Sequence, residues 1–206
     1  MINTLSNKQP ATKMQAFQVF NLLTSIHPLS NDVLCYLENN LYTLTVKKGE
    51  ILDEAGNVCE MIYFIRRGVI RAYVKEDKRD VTTWISVENE LAASIASFVV
   101  QTPSVDNLQA IEDAELIGIS FTSLQQLYEL IPAFNIAARR MYEKYYVDAE
   151  IRALIARQSK AEKKYEFFLQ SYGHLSNRIP LTYIASFLGI NLATLSRIRS
   201  QRRRMK

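Results

Sequence analysis

The chain has 206 residues, of which 48% are apolar, so it can bury the hydrophobic core of one or two domains. This composition excludes a chain that is disordered over most of its length. No stretch approaches the roughly 18 uninterrupted apolar residues of a membrane helix. The segment from Met1 to Gln15 is polar and has no apolar core of the kind found in signal peptides. These features predict a soluble, cytoplasmic protein with no membrane partner.

Charge is distributed unevenly along the chain. From Arg157 to the end there are 11 lysines and arginines against 2 acidic residues, whereas the first 156 residues carry 14 against 19. A basic end on an acidic body predicts a polyanionic partner for that end only. A solvated basic tail is the alternative that charge alone leaves open.

The sequence contains few residues that could bind a metal ion or a redox cofactor. Cys35 and Cys59 are too few for a zinc site or an iron-sulfur cluster, and neither His27 nor His174 has a second histidine at metal-ligand spacing. The stretch 42–121 contains no histidine, so metal catalysis of the cupin type would lack its imidazole ligands. We therefore predict no catalytic residues and no metal, and an enzyme is the weakest of the functional hypotheses.

The first half of the chain changes from helical to strand patterning. Apolar positions at helical spacing predict short helices between Met14 and Asn39, with Pro28 breaking the run. Six runs rich in β-branched and aromatic residues then predict strands: Thr43 to Val46, Met61 to Ile65, Val69 to Val74, Val81 to Ile85, Leu108 to Ile111 and Glu115 to Ile119. This spacing is typical of an antiparallel sandwich or jelly roll, in which Arg67-Gly68 turns one hairpin.

A long amphipathic helix is predicted from about Pro132 to Arg157. Its stripe of apolar and small residues comprises Phe134, Ala138, Tyr142, Tyr145, Ala149, Ala153 and Ala156. About 25 helical residues span roughly 40 Å, so the helix extends past an ordinary sheet domain and its stripe needs another surface. A second copy of the chain is the simplest candidate, which predicts a homodimer. Packing of the stripe on its own domain is the alternative.

The last segment has the spacing of a helix-turn-helix. It follows a predicted helix from Ala161 to about Tyr172, which ends at Gly173, a residue suited to a left-handed C-cap. Within the motif, Gly189 supplies the positive φ of the turn and Asn191 can cap the second helix. Six apolar residues are predicted to fill the space between the two helices: Ile184, Ala185, Leu188, Ile190, Leu195 and Ile198.

The outward side of this motif suits a DNA groove. Hydroxyls and capped amides can reach phosphates, Arg197 can pair with a guanine edge, and Leu192 or Ala193 can touch a thymine methyl. The predicted DNA-binding residues are Thr182, Asn191, Leu192, Ala193, Thr194, Ser196, Arg197, Arg199, Arg202 and Arg203. Two packed surface helices joined by a glycine turn are the alternative. The basic run Arg202 to Arg204, followed by Lys206, favours DNA.

With these features, the chain resembles the Crp/Fnr family of bacterial transcription regulators along nearly its whole length. In the sheet region the similar residues are Lys48-Gly49-Glu50-Ile51-Leu52 with Gly56, Met61-Ile62-Tyr63-Phe64-Ile65 and Gly68-Val69-Ile70-Arg71; in the last segment they are Thr194-Leu195-Ser196-Arg197-Ile198. The resemblance implies an α+β chain in three parts. These are a cupin-like, cyclic-nucleotide-binding-like jelly roll (1–131), a dimerisation helix (132–158) and an all-α helix-turn-helix domain (159–206).

The resemblance also implies a cyclic-nucleotide cassette, from which this chain departs. Ala93, Ser94, Ser104 and Val105 stand where the family has the glycine, glutamate, arginine and serine that hold the ribose and phosphate. Loss of a charge-assisted phosphate contact costs roughly 1.5 to 3 kcal/mol, so cyclic AMP is not the expected ligand. The candidate ligand-binding residues at the pocket mouth are Ser94, Ser104, Asp106 and Asn107. No cofactor is predicted, because the cysteine cluster of oxygen sensors and a clear haem ligand are both missing.

The sequence therefore predicts a homodimeric transcription regulator that binds double-stranded DNA at a palindromic site, with RNA polymerase as a further candidate partner. Leu192 and Ala193 replace the base-reading arginine and glutamate of well-known family members, so the target sequence should differ from theirs. The second hypothesis is a small-molecule sensor module whose basic end does not bind DNA specifically. Salt dependence separates the two, because phosphate contacts weaken steeply with salt.

Overall fold

In the computed structural model, which describes residues 8–77 and 79–204, a two-sheet sandwich is followed by a long helix and a small helical end. The strands are β1 (Gln9–Pro10), β2 (Tyr42–Val46), β3 (Ile51–Asp53), β4 (Met61–Arg67), β5 (Ile70–Glu76), β6 (Arg79–Ser86), β7 (Leu91–Ala92), β8 (Asn107–Ala110) and β9 (Ala114–Ser120). The helices are α1 (Lys13–Ile26), α2 (Asn31–Asn40), α3 (Ile95–Val100), α4 (Phe121–Leu130), α5 (Phe134–Arg157), α6 (Ala161–Tyr172), α7 (Leu181–Phe187) and α8 (Leu192–Arg204).

The two sheets form the predicted jelly roll. One sheet has the strand order β1-β2-β9-β4-β7 and the other β3-β8-β5-β6, and the neighbouring strands pair antiparallel. Side chains from both sheets meet between them, among them Leu44, Ile65, Ile70, Leu108 and Leu116, each at most 4% exposed. Burial on alternate positions of paired strands is what holds two such sheets face to face. The prediction of an antiparallel jelly roll is confirmed.

The predicted hairpin at Arg67-Gly68 is wrong. Strand β4 pairs with β7 and β9 in one sheet, whereas β5 pairs with β6 and β8 in the other. Gly68, with φ +109°, therefore carries the chain from one sheet to the other. A Cβ on Gly68 would lie 2.5 Å from the Cβ of Ala114, so the crossing also needs a residue without a side chain. The hairpin on this side of the sandwich instead joins β5 to β6.

Replacing Gly68 by alanine is expected to lower the free energy of unfolding by about 2 to 4 kcal/mol, since left-handed strain and overpacking against Ala114 add together. The measurement is urea denaturation followed by circular dichroism. Gly56→Ala is the matched control, because Gly56 has φ +94° but open space where its Cβ would stand. Equal losses for the two variants would show that the contact with Ala114 is irrelevant.

The helical end packs on the outer part of the jelly roll. Val69, Ile85 and Ile111 share one buried cluster with Phe168 and Ile184 of the terminal helices. The predicted left-handed C-cap at Gly173 is wrong: its φ is −58°, and the chain continues into a short 3-10 turn, Gly173–Leu175. Leu175 is buried in the same cluster, so the turn serves to reach that core.

The apolar residues of helix α5 fall into two groups, one buried within the chain and one exposed. Near its start, Phe134 and Ala138 of the predicted stripe are buried in a cluster shared with α1, so this part of the stripe packs within the chain. Farther along, a different row stays exposed: Val147 at 55%, Ile151 at 43% and Leu154 at 53%. By the 3.6-residue turn these three share one face of α5. The long helix thus carries an unpartnered apolar row that the predicted stripe did not include.

Among the described residues, no single helix has the length and hydropathy to cross a membrane. Helices α7 and α8 pass that test only when taken together, and they are bent by 106° relative to each other.

Candidate nucleic-acid interface

Helices α7 and α8 form the predicted helix-turn-helix. Gly189 adopts φ +59° in the turn, and the helices cross at a bend of 106°, within the range of roughly 90 to 120° that such motifs show. The turn is closed by a hydrogen bond from the Ile190 N–H to the Ala185 carbonyl at 3.0 Å. From α6, Lys164 Nζ donates to the Leu188 carbonyl at 3.0 Å and satisfies the C-terminal end of α7.

The interior of the motif matches the sequence prediction. Five of the six predicted apolar residues are at most 6% exposed, and Ile190 is partly buried against them; the five are Ile184, Ala185, Leu188, Leu195 and Ile198. Asn191 caps α8, since its Oδ1 accepts from the Ala193 N–H at 2.8 Å. The second helix is therefore fixed at both its start and its inner face.

The ten predicted DNA-binding residues divide by exposure. Seven lie exposed on α8 or beside its start: Asn191, Leu192, Ala193, Ser196, Arg197, Arg202 and Arg203. Thr182 is exposed in the first turn of α7, whereas Thr194 and Arg199 are half-buried. Arg202 to Arg204 belong to the last turn of α8, and Lys206 lies outside the described residues. No acidic residue occurs anywhere in 167–206 of the sequence, so every charged side chain that α7 and α8 contribute to this face is basic. Arg202 Nη1 lies 3.8 Å from Glu166 of α6.

Two groups of polar contacts, which we call the docking contacts, hold the motif on the jelly roll. In the first group, the Thr82 N–H donates to Ser186 Oγ at 2.9 Å, and Ser186 Oγ donates to the Asp80 carbonyl at 2.9 Å. The Arg71 guanidinium is 3.8 Å from the ring centre of Tyr183 and 2.7 Å from Asp80 Oδ2. This guanidinium is only 2% exposed, and besides Asp80 and Tyr183 it contacts the Tyr73 ring and Gln109 Oε1, so its buried charge is compensated.

The second group of docking contacts is an ion-pair cluster. Arg178 Nη2 lies 2.6 Å from Glu88 Oε1 and also pairs with Glu112. Burial of Glu88 favours its neutral form, but hydrogen bonds from Arg178 and from the Gly68 N–H outweigh this and lower its pKa to about 2. Sequence reasoning missed both groups, because the contacts that join the motif to the jelly roll link residues at least 66 positions apart.

The ion-pair cluster makes the free energy of unfolding depend on pH in the acidic range. Because the folded pKa of Glu88 lies below its unfolded value of 4.5, the contribution of Glu88 is complete above about pH 4.5 and is lost as pH falls toward 2. We therefore expect the difference in unfolding free energy between the wild type and Glu88→Gln to shrink over that window. Urea denaturation at a series of pH values measures it. A difference that stayed constant as the pH fell from about 6 to 2 would contradict this role of Glu88.

Three of the four candidate ligand-binding residues are engaged in hydrogen bonds within the protein. Ser104 Oγ lies 2.7 Å from Asp106 Oδ1, and Asn107 Oδ1 accepts from the Ala55 N–H at 3.1 Å. Ser94 is 1% exposed, and within 8–77 and 79–204 its Oγ has no hydrogen-bond partner. A role for these four residues in ligand binding stays a prediction.

Comparison with known proteins gives a consistent picture. The family model described as a cyclic nucleotide-binding domain matches residues 43–130. The regulatory protein HlyX of Actinobacillus pleuropneumoniae is 28% identical over 166 residues, which cover 74% of this chain and 68% of that protein. The fumarate and nitrate reduction regulatory protein of Yersinia pestis is 24% identical over 165 residues, covering 74% of this chain and 65% of that protein.

The structure of FixK2 from Bradyrhizobium japonicum shares the fold, with a TM-score of 0.66 at 20% identity over 77% of this chain and 82% of that chain. The match spans just under two thirds of the length of the Yersinia protein. The sequence relatives are named as regulators, and none of these names is that of an enzyme. Residues 43–130 therefore match the cyclic nucleotide-binding domain, and the homologues of the chain are named as regulatory proteins and as a transcriptional activator.

Proposed function

We propose that this protein is a homodimeric transcription regulator of the cytoplasm that binds a palindromic site in double-stranded DNA. The observation that carries the proposal is the capped helix α8, whose outer face is exposed and basic while its inner face is buried. A helix held in this way can enter the major groove, which is wide enough to admit it. The relatives, which are regulators by name, support the same assignment.

The exposed side chains of α8 divide into two roles. Arg197 can donate two hydrogen bonds to a guanine edge, and Leu192 with Ala193 can contact a thymine methyl, so these three would select the sequence. The remaining residues would hold the phosphates and fix the position of the helix on the duplex: Thr182, Asn191, Thr194, Ser196, Arg199, Arg202 and Arg203. The half-buried Thr194 and Arg199 would contact the backbone only at the edge of the groove.

The dimer would form along α5. Its exposed row of Val147, Ile151 and Leu154 is apolar and has no partner within the described chain. Two such rows packed against each other would place the two recognition helices about a two-fold axis, which is the symmetry of a palindrome. On this proposal residues 1–131 form the sensor, 132–158 the dimerisation helix and 159–206 the DNA-binding domain. RNA polymerase would be a further partner at the promoter.

Cyclic AMP is not the effector on this proposal. Ser104 stands where the family carries its phosphate-binding arginine, and its hydroxyl is engaged with Asp106. Val105, at the next position of the cassette, is 77% exposed, and its side chain offers a phosphate no hydrogen bond. An anionic ring would therefore enter the site without the cation that its phosphate requires.

The test is selection of DNA from a random pool by the full chain, followed by fluorescence anisotropy on the selected site. We expect a palindromic consensus, and an affinity that falls by about 1000-fold or more between 50 and 200 mM salt if six or more phosphates are contacted. The small-molecule sensor hypothesis expects no enriched sequence. A failure to enrich any sequence, or an affinity indifferent to salt, would contradict DNA recognition.

A further inference from the structure

A cavity of about 460 Å³ lies where three parts of the molecule meet. The sheets contribute Ala72, Trp84 and Ala92, helix α5 contributes Tyr145 and Ala149, and the N-terminal helices close the remaining side. Small-molecule sites in proteins usually measure about 300 to 1000 Å³. The cavity is therefore large enough for a ligand of ten or more heavy atoms.

The cavity wall is almost entirely apolar. Among the residues that the structure describes, no Lys, Arg, His, Asp or Glu lines it. Besides the tyrosines Tyr128, Tyr142 and Tyr146, the polar groups of the lining are bonded to one another. Trp84 Nε1 donates to Ser86 Oγ at 2.8 Å, and Ser86 Oγ donates to the Leu91 carbonyl at 2.9 Å. The Leu91 N–H in turn donates to Tyr145 Oη at 2.5 Å. An ion placed here would lose its water without gaining a charged partner.

A neighbouring cation lies outside the cavity lining. The guanidinium of Arg152 stacks on the Trp84 ring, and within 8–77 and 79–204 its Nη2 is buried without a hydrogen-bond partner. Because Arg152 lies against the ring and not in the lining, the wall that a ligand would contact remains uncharged.

We propose that this cavity binds an uncharged, largely apolar small molecule, and that this molecule is the effector of the regulator. Binding rests only on the cavity and its lining, whereas the effector role rests on the proposed function. The four polar residues Ser94, Ser104, Asp106 and Asn107 do not line the cavity, whereas Ala93, at the glycine position of the cassette, does, so the proposed site borders the cassette without using its polar groups.

The position of the cavity links it to both functional surfaces. Trp84 belongs to β6, the strand whose Thr82 backbone is bonded to Ser186 of the helix-turn-helix. Tyr145 and Ala149 belong to α5, on the side opposite the exposed row that contains Val147 and Ile151. A dimer formed through that row would leave the cavity accessible. A ligand bound in the cavity would contact both α5 and β6.

Binding can be measured without DNA, because Trp84 is the single tryptophan of the chain and lines the cavity. The full-length protein is titrated with 1-decanol and, separately, with the neutral fluorophore N-phenyl-1-naphthylamine, following Trp84 emission and probe displacement. Burial of a ten-carbon chain predicts a Kd on the order of 10 µM. Decanoate should bind at least 10-fold more weakly than decanol, and cyclic AMP should not displace the probe.

Variants that fill the cavity provide the control. Ala149→Phe and, independently, Ala92→Leu should weaken decanol binding at least 10-fold, whereas Ala156→Phe, on the same helix but outside the lining, should bind normally. No change in Trp84 emission and no probe binding would overturn the proposal, as would tighter binding of decanoate or cyclic AMP than of decanol. Unaffected filling variants would do the same.

The effector role is tested on the selected DNA site. Saturating decanol should change the DNA affinity of the wild type at least 5-fold and that of Ala149→Phe hardly at all. Decanol binding with no change in DNA affinity would overturn the effector role. If decanol binds but the protein recognises no DNA, the proposed function fails while the cavity assignment stands.

Discussion

Reversal of charge in Arg197→Glu is expected to weaken binding to the specific site by at least 100-fold while leaving the fold and the dimer intact. Arg197 is exposed on the outer face of α8, so its loss removes no buried contact. A bidentate arginine contributes about 1 to 3 kcal/mol of discrimination between bases, and the new carboxylate would in addition face the phosphates. Fluorescence anisotropy measures the DNA affinity, and analytical ultracentrifugation the assembly state.

Two controls separate recognition from general electrostatics. Lys13→Glu makes the same change of charge at an 87% exposed side chain of α1, and at 150 mM salt it should lower DNA affinity less than 3-fold because the Debye length is about 8 Å. Arg202→Ala should weaken specific and nonspecific binding equally. If Arg197→Glu kept its specific footprint, or if Lys13→Glu lost it equally, α8 would not be the recognition helix.

The parts of the fold that were predictable are those with a local signal. The helices broken at Pro28 and the motif around Gly189 follow from residues within a few positions of one another. The missed elements lacked such a signal. Two-residue strands such as β7 have no periodicity, and the apolar run of α3 (Ile95–Val100) does not distinguish helix from strand. Helix α4 is an exception, because its start carries the capping residue Ser120 and yet no helix is predicted there from the sequence.

The features of the candidate site also divide into those with a local sequence signal, which were predictable, and those formed by long-range contacts, which were not. The cap at Asn191 and the burial of Leu195 were predictable because they arise inside one motif. The docking contacts were not, since Arg71 reads in sequence only as part of a strand signature, yet its guanidinium meets Tyr183 more than a hundred positions away. The hairpin error at Gly68 has the same origin: a positive φ is visible in the sequence, but the sheet to which the next strand belongs depends on long-range pairing.

A charged row on α5 is expected to convert the dimer into monomers. In the variant Val147→Glu, Ile151→Glu, Leu154→Glu, six carboxylates would meet across the proposed interface, and desolvating them without partners is prohibitive. The residues are 43 to 55% exposed in the single chain, so the monomer should keep its fold by circular dichroism. Ultracentrifugation should then find a particle near 24 kDa, the mass of one chain being 23.7 kDa.

The same variant should bind the palindrome at least 100-fold more weakly while binding a half-site as the wild type does. The reason is that joining two DNA-binding domains in one dimer raises the avidity for two half-sites by about 100-fold or more without a new contact. Ala156→Glu is the control: it places a carboxylate on the same helix about 180° around from Val147 and should remain dimeric. A dimer that survived the charged row would assign the interface to another surface. A monomer with undiminished affinity for the palindrome would show that paired recognition helices are not how this protein reads DNA.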